Sequence, residues 1–108
     1  MKIVLLIIML PIPVFGQVGM ASWYGAENSK SSTGKKLIRD KPAAAHKTLP
    51  FGTKIKVTSI RSKKSVVAVV DDRGPYTKNR IIDLNRIAAV KLGIIKDGVT
   101  KVKIEVVK

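Results

Sequence analysis

Thr53-Lys54-Ile55-Lys56-Val57-Thr58-Ser59-Ile60-Arg61-Ser62-Lys63-Lys64-Ser65-Val66-Val67-Ala68-Val69-Val70-Asp71-Asp72 is the stretch on which the fold turns. Ile55 and Val57 fall on one parity and Lys54, Lys56 and Thr58 on the other, the pattern of a half-buried strand over residues 53–60. Residues 61–64 make a basic turn, and residues 65–71 follow as a nearly continuous apolar strand long enough for a barrel wall. The two strands are predicted to pair as a hairpin.

Working outward, residues 42–46 are short and alanine-rich and are read as a single helical turn before Leu49, Pro50 and Gly52 punctuate the chain. Residues 26–36 are polar, with Ser29, Ser31, Ser32, Thr33 and Gly34 making a loop that is a candidate rim of a site. Residues 20–24 are read as a first strand, stopped by Gly25. On the other side, residues 81–84 form another short apolar run, and Asn85 is placed to cap a helix that carries Ile87, Ala88 and Leu92 on one side and ends at Gly93. Residues 101–107 alternate again, with Val102, Ile104 and Val106 predicted inward. Five or six short strands with one or two brief helices describe a small, mainly β barrel and exclude a helical bundle or a doubly wound sheet.

Residues 1–16 carry one early cation, Lys2, then an apolar run over residues 3–10, then Pro11, Pro13 and small residues. That order reads as a secretory signal peptide, with the barrel domain occupying residues 17–108. The run falls short of the roughly 20 residues that span a bilayer, so contact with a membrane is expected only through an uncleaved leader, if at all. Cysteine is absent, which removes disulfides and a lipid-attachment thiol, so the protein is expected to be exported to the periplasm or cell wall without being a lipoprotein. Its core must then rest on apolar packing, which strand closure favours by leaving few edges. A closed barrel gives no reason to need a second copy, so a monomer is expected.

Lys and Arg number 21 against 7 Asp and Glu, a formal charge of +14, so the surface attracts polyanions. No recognised nucleic-acid motif accompanies the charge, and one Trp provides no alternating basic and aromatic platform; nucleic acid is not the expected partner. Anionic wall polymers and the outer faces of membranes fit better, beside the plainer possibility of a solvated cationic surface.

Candidate catalytic groups are few: Glu27, Asp40, Asp71, Asp72, Asp83, Asp97, Glu105 and the single His46. With no thiol and one imidazole, an ordinary metal cage cannot be assembled, and neither a metal nor a cofactor is expected. No phosphate-cradling glycine loop and no nucleophile elbow is present. Both parities of the strand before Asp71 and Asp72 are apolar, so periodicity leaves open which carboxylate enters a cleft. Gly74 and Pro75 just beyond would hold such a side chain at a rim, although an Asp there can equally serve the turn by accepting backbone N–H bonds. Asp83 could act as a dipole partner of the following helix, His46 could be a structural imidazole, and Trp23 and Tyr24 could stack on a sugar ring or simply pack.

Four motifs in order, Ala21-Ser22-Trp23-Tyr24-Gly25, Ala44-Ala45-His46-Lys47-Thr48-Leu49-Pro50-Phe51-Gly52-Thr53, Asp72-Arg73-Gly74-Pro75-Tyr76 and Arg80-Ile81-Ile82-Asp83-Leu84, resemble the rare lipoprotein A (RlpA) family. The resemblance runs over residues 19–107 and implies a six-stranded double-psi β-barrel. It also implies a septal-type lytic transglycosylase, a carbon-oxygen lyase that cuts between N-acetylmuramic acid and N-acetylglucosamine in glycan strands stripped of stem peptides. In that chemistry an acid protonates the glycosidic oxygen while the muramoyl 6-hydroxyl closes onto its own anomeric carbon. A second carboxylate is less necessary than in two-acid glycosidases.

Carried over by position, the resemblance makes Asp72 the catalytic acid, His46 the group that orients substrate or relays the proton, and Asp83 a second cleft carboxylate. Trp23, Tyr24, Lys35 and Arg73 fall around the substrate, with the Arg73 charge expected to face structure, since beside a general acid it would oppose the neutral form. Two departures stand out. The family's Thr-Ala-x-Gly-Glu loop aligns with Ser31-Ser32-Thr33-Gly34-Lys35, so a lysine replaces the glutamate, and targeting through a C-terminal SPOR domain is not expected. The alternative is therefore a weakly active or non-catalytic, cationic, expansin-like module that binds peptidoglycan.

Overall fold

A computed structural model of the chain describes residues 16–24 and 41–107. Six strands, β1 (Gly16–Trp23), β2 (Ala43–Ala45), β3 (Lys54–Ser59), β4 (Ser65–Asp72), β5 (Arg80–Leu84) and β6 (Val99–Val106), and one helix, α1 (Arg86–Leu92), make up the regular structure. The strands close into a barrel in the order β1-β5-β2-β4-β3-β6.

The predicted hairpin is β3 and β4, with Ile55 opposite Ala68 and Val57 opposite Val66. One parity of each strand enters the barrel: Ile55 and Val57 from β3, and Val66, Ala68 and Val70 from β4, are buried. Val67, on the other parity of β4, is 47% exposed, so the continuous apolar run does not mean a strand covered on both sides. Ile82, Leu84, Val102 and Ile104 complete the interior with Leu92 and Ile94 from the helix and its exit. Val106 packs partly buried against this cluster.

Residues 42–46 correct the sequence reading. Ala43–Ala45 form a strand, not a helical turn, with β4 parallel on one side and β5 antiparallel on the other. Two ladders satisfy the backbone groups that a lone helical turn would leave exposed, and this outweighs the helix preference of alanine. The first strand also begins at Gly16, earlier than expected, because Gly16, Gln17 and Val18 are held by Glu105, Ile104 and Lys103 of β6. Its pairing with β5 is parallel, as is that of β2 with β4, so neither contact can come from a tight hairpin.

Asn85 caps α1 as expected, accepting from Ala88 N at 3.0 Å, and the same carbonyl accepts from Ala43 N at 3.1 Å. Its Nδ2 donates to Lys41 O at 2.8 Å, so one side chain ties the helix start to β2. Gly93 ends the helix at φ 78° and donates to Ala89 O and Val90 O. The buried face is Ala88, Ala89 and Leu92; Ile87 is only half-buried, because the short helix lies with its Ala88–Ala89 edge on the barrel.

Candidate active site

Ala45, at the end of β2, is the register partner of Asp83 on β5 and of Asp72 on β4. Asp83 in turn is opposite Ser22 on β1. Register partners share a face of a sheet, so Ser22, Asp83, Ala45 and Asp72 make one row across four strands. An irregularity in the β2–β4 ladder sets the faces of the two acids: Ala44 pairs with Val70, but Ala45 pairs with Asp72. The residue skipped is Asp71, and the slip takes Asp72 off the inward parity of Val70. Ala44 belongs to the core cluster and Ala45 does not, in keeping with opposite faces. At a strand spacing of about 4.8 Å, the Asp72 and Asp83 backbones stand roughly 9–10 Å apart, with a methyl group between them.

His46 follows directly, and its N–H donates to Asp72 O at 3.1 Å. Its Nδ1 accepts from Thr48 N and from Leu49 N, both at 3.1 Å. That double acceptance leaves the ring proton on Nε2, which faces Gln17 Oε1 at 3.3 Å. Burial, then the nearby charges of Arg73 and Lys47, hold the imidazole below its ordinary pKa of 6.5. The ring is thus a neutral hydrogen-bond donor at neutral pH, and charging it would cost both backbone bonds at Nδ1.

Arg73 turns its guanidinium into the loop after β2, donating to Leu49 O at 2.7 Å and His46 O at 3.0 Å while lying 4.3 Å over the Phe51 ring. Asp72 Oδ1 accepts from Arg73 N at 2.8 Å, so the carboxylate also shapes the chain's exit toward Gly74, whose φ of 117° favours glycine. Ser22 Oγ donates to Asp83 Oδ1 and accepts from Arg80 Nη1 at 3.3 Å, which buttresses Asp83 from the β1 side.

A groove of about 200 Å³ is lined by Gln17, His46, Lys47, Thr48 and Ile81. Asp72, Asp83 and His46 are therefore brought to one end of β2, and His46 opens onto the groove. Trp23 lies partly buried against the core and Tyr24 is half-buried, its N–H bonded to Leu84 O at 2.9 Å; neither lines the groove. Lys35, Glu27 and Asp40 lie outside the described residues. Gln17, Thr48 and Ile81 were not singled out in sequence. Thr48 sits inside a motif whose loop the imidazole organises, whereas Gln17, outside the four motifs, carries no local signal. Among the described residues, no three His, Cys, Asp or Glu side chains converge as metal ligands.

Residues 16–104 match the family model described as lytic transglycolase. The chain is similar to the endolytic peptidoglycan transglycosylase RlpA of Rickettsia felis, 46% identical over 96 residues that cover 84% of this chain and 42% of that one. The protein of the same name in Neisseria meningitidis is 46% identical over 93 residues, covering 84% of this chain and 39% of that one. The chain thus spans under half the length of these relatives. Among solved structures, the Streptomyces papain inhibitor superposes with a TM-score of 0.70 at 20% identity, over 90% of this chain and 99% of that one. A Clavibacter michiganensis expansin mutant in complex with cellohexaose superposes with a TM-score of 0.71 at 18% identity, over 87% of this chain and 51% of that one. These two likenesses concern the barrel fold.

Proposed function

This chain belongs to the lytic transglycolase family and has its double-psi β-barrel, and from that premise we propose that it is a peptidoglycan lytic transglycosylase working outside the cytoplasm. The bond cut is that between N-acetylmuramic acid and N-acetylglucosamine, in strands lacking stem peptides. The observation that carries the reading is the pair Asp72 and Asp83 set either side of Ala45, with His46 next along the chain.

In this mechanism Asp72, protonated, gives its proton to the glycosidic oxygen as the bond to the muramoyl anomeric carbon breaks. The 6-hydroxyl oxygen of the same sugar bonds to that carbon, and its proton passes to a carboxylate, so atoms balance without water. Asp83, steadied by Ser22, is placed on the far side of Ala45 to face the developing positive charge or to take that proton. His46, neutral and with Nδ1 committed to backbone, acts by donating from Nε2 to a sugar oxygen; this geometry supports orientation in preference to proton relay. Arg73 holds the 46–51 loop that presents the imidazole, its guanidinium committed to two backbone carbonyls and the Phe51 ring, which favours a positioning role over substrate contact. Trp23 and Tyr24 border the row from β1 and remain the candidates for a stacked sugar, with Lys35 on the polar loop as a rim contact.

The second reading, an expansin-like wall-binding module of little activity, is favoured by one feature, Lys35 where the resemblance leads to a glutamate. The two separate on one assay: the full chain is incubated with glycan strands freed of stem peptides, and anhydromuramoyl ends are sought by mass spectrometry. Release that Asp72→Asn abolishes while the melting curve is kept supports the enzyme. Binding without anhydro products, together with a gain on Lys35→Glu, supports the module.

A further inference from the structure

The β3 and β6 strands lie across the barrel from β5 and β2, and their outward face has a regular composition. Lys54 and Lys56 on β3 and Lys101 and Lys103 on β6 are all exposed. Each has an exposed aliphatic residue beside it on the neighbouring strand. Lys56 is opposite Val67 and Lys103 is opposite Val18. Ile60 N bonds Lys101 O at 3.0 Å and Val107 N bonds Lys54 O at 2.8 Å, continuing the β3–β6 register to both ends. The aliphatic exposures are Val18 54%, Ile60 47%, Val67 47% and Val107 36%. Glu105 is the acid on this face, opposite Lys56 and 3.9 Å from the Lys103 ammonium. At roughly 6.8 Å per two residues, the four rows run about 20 Å along the strands.

Lysines alone would suit any polyanion. Aliphatic side chains set among them gain nothing from a hydrated polymer, but they do gain from a surface whose charged layer overlies an apolar one. Gly16 shares a row with Glu105 and Lys56, so the first described residue of β1 lies on this same face. No helix among the described residues is long and apolar enough to cross a membrane. We propose that the outer face of β3 and β6 docks the barrel onto a bilayer rich in anionic phospholipid, lysine ammoniums on the phosphates and valine and isoleucine side chains at the interface. The groove at β2 then faces away from the bilayer, open to material on the far side.

The test uses the full chain with vesicles of phosphatidylcholine alone and vesicles in which a third of the lipid is phosphatidylglycerol. Comparing the two removes any contribution of the apolar run that is independent of charge. The expected result is binding about tenfold or more tighter to the anionic vesicles, lost with rising salt. Substituting Lys54, Lys56, Lys101 and Lys103 together by glutamine removes that preference. Substituting Lys64, Lys78, Lys91 and Lys96, exposed cations elsewhere, keeps most of it. The double variant Ile60→Ser and Val107→Ser, on the continuations of β3 and β6, weakens vesicle binding but leaves binding to single-stranded DNA unchanged. Equal binding by the first quadruple variant and the wild type, no preference for anionic vesicles, or a serine variant as tight as wild type on vesicles would each overturn the proposal.

Discussion

Asp72 and Asp83 share a single neighbour: each is the register partner of Ala45, one from β4 and the other from β5. A strand of three residues thus sets the interval between the two carboxylates, while separate partners fix their directions. Asp72 is held by the backbone of Arg73, and Asp83 by the hydroxyl of Ser22.

Ser22→Ala removes the donor to Asp83 and the acceptor of Arg80 Nη1 together. Turnover of stem-free glycan is expected to fall about tenfold, equivalent to about 1.4 kcal/mol in the barrier, with little change in melting temperature. Ser22→Thr, which keeps the hydroxyl, should restore most of it. Steady-state release of anhydro products by the two variants is the measurement, and unchanged turnover in the alanine variant would show that Asp83 needs no support from β1.

Asn85→Ala is expected to cost about 2–4 kcal/mol, because it deletes the helix cap and leaves the Ala43 N–H and the Lys41 carbonyl without the side chain that serves them. Asn85→Asp retains the acceptor and loses only the Nδ2 donor, so its cost should be smaller. Urea unfolding of both variants checks the order.

His46 makes stability depend on pH in a definite sense. Its folded pKa lies below the ordinary 6.5, chiefly through burial and then through the Arg73 and Lys47 charges, so between these two values the unfolded chain binds more protons. Stability contributed by the neutral ring is fully present above pH 6.5, declines as pH falls below it, and levels off once the folded imidazole also charges. Denaturant midpoints measured in this window should drop for wild type, and the slope should flatten in His46→Gln.

Gly19 has no room for a side chain, since a Cβ built there would lie 2.7 Å from Ile81 Cγ2. Gly19→Ala must displace a branched side chain that lines the groove, at an expected cost of about 1–3 kcal/mol. Gly19→Ala with Ile81→Ala, which removes the γ carbons that the new Cβ would meet, should recover part of the loss, and a thermal melt of the single and double variants decides it.

The parts of the barrel legible in sequence were those whose period is local. Ile55 and Val57 against Lys54 and Lys56, and Val102 and Ile104 against Lys101 and Lys103, announce their inward faces without reference to any partner. Asn85 and Gly93 marked the helix because capping uses side chains adjacent in sequence. Ala43–Ala45 could not be read this way, since its strand character comes from two partners at 69–72 and 83–84. The candidate site divides along the same line. Motif residues Asp72, Asp83 and His46 were nameable, but the ladder slip at Ala44 and Ala45, which puts Asp72 in one row with Asp83, is revealed by no spacing. Gln17 owes its place beside His46 Nε2 to the β1–β6 pairing, a relation between the two ends of the barrel domain.

That pairing is the seam at which the cylinder is zipped shut. Any processing enzyme that nibbled beyond Gly16 would unfasten Glu105 and Ile104 from their partners and strip Gln17 from the imidazole in the same cut. The strand that opens at Gly16 and the groove are mechanically one unit, and loss of only a few residues from Gly16 onward should leave an open-sided, protease-sensitive sheet.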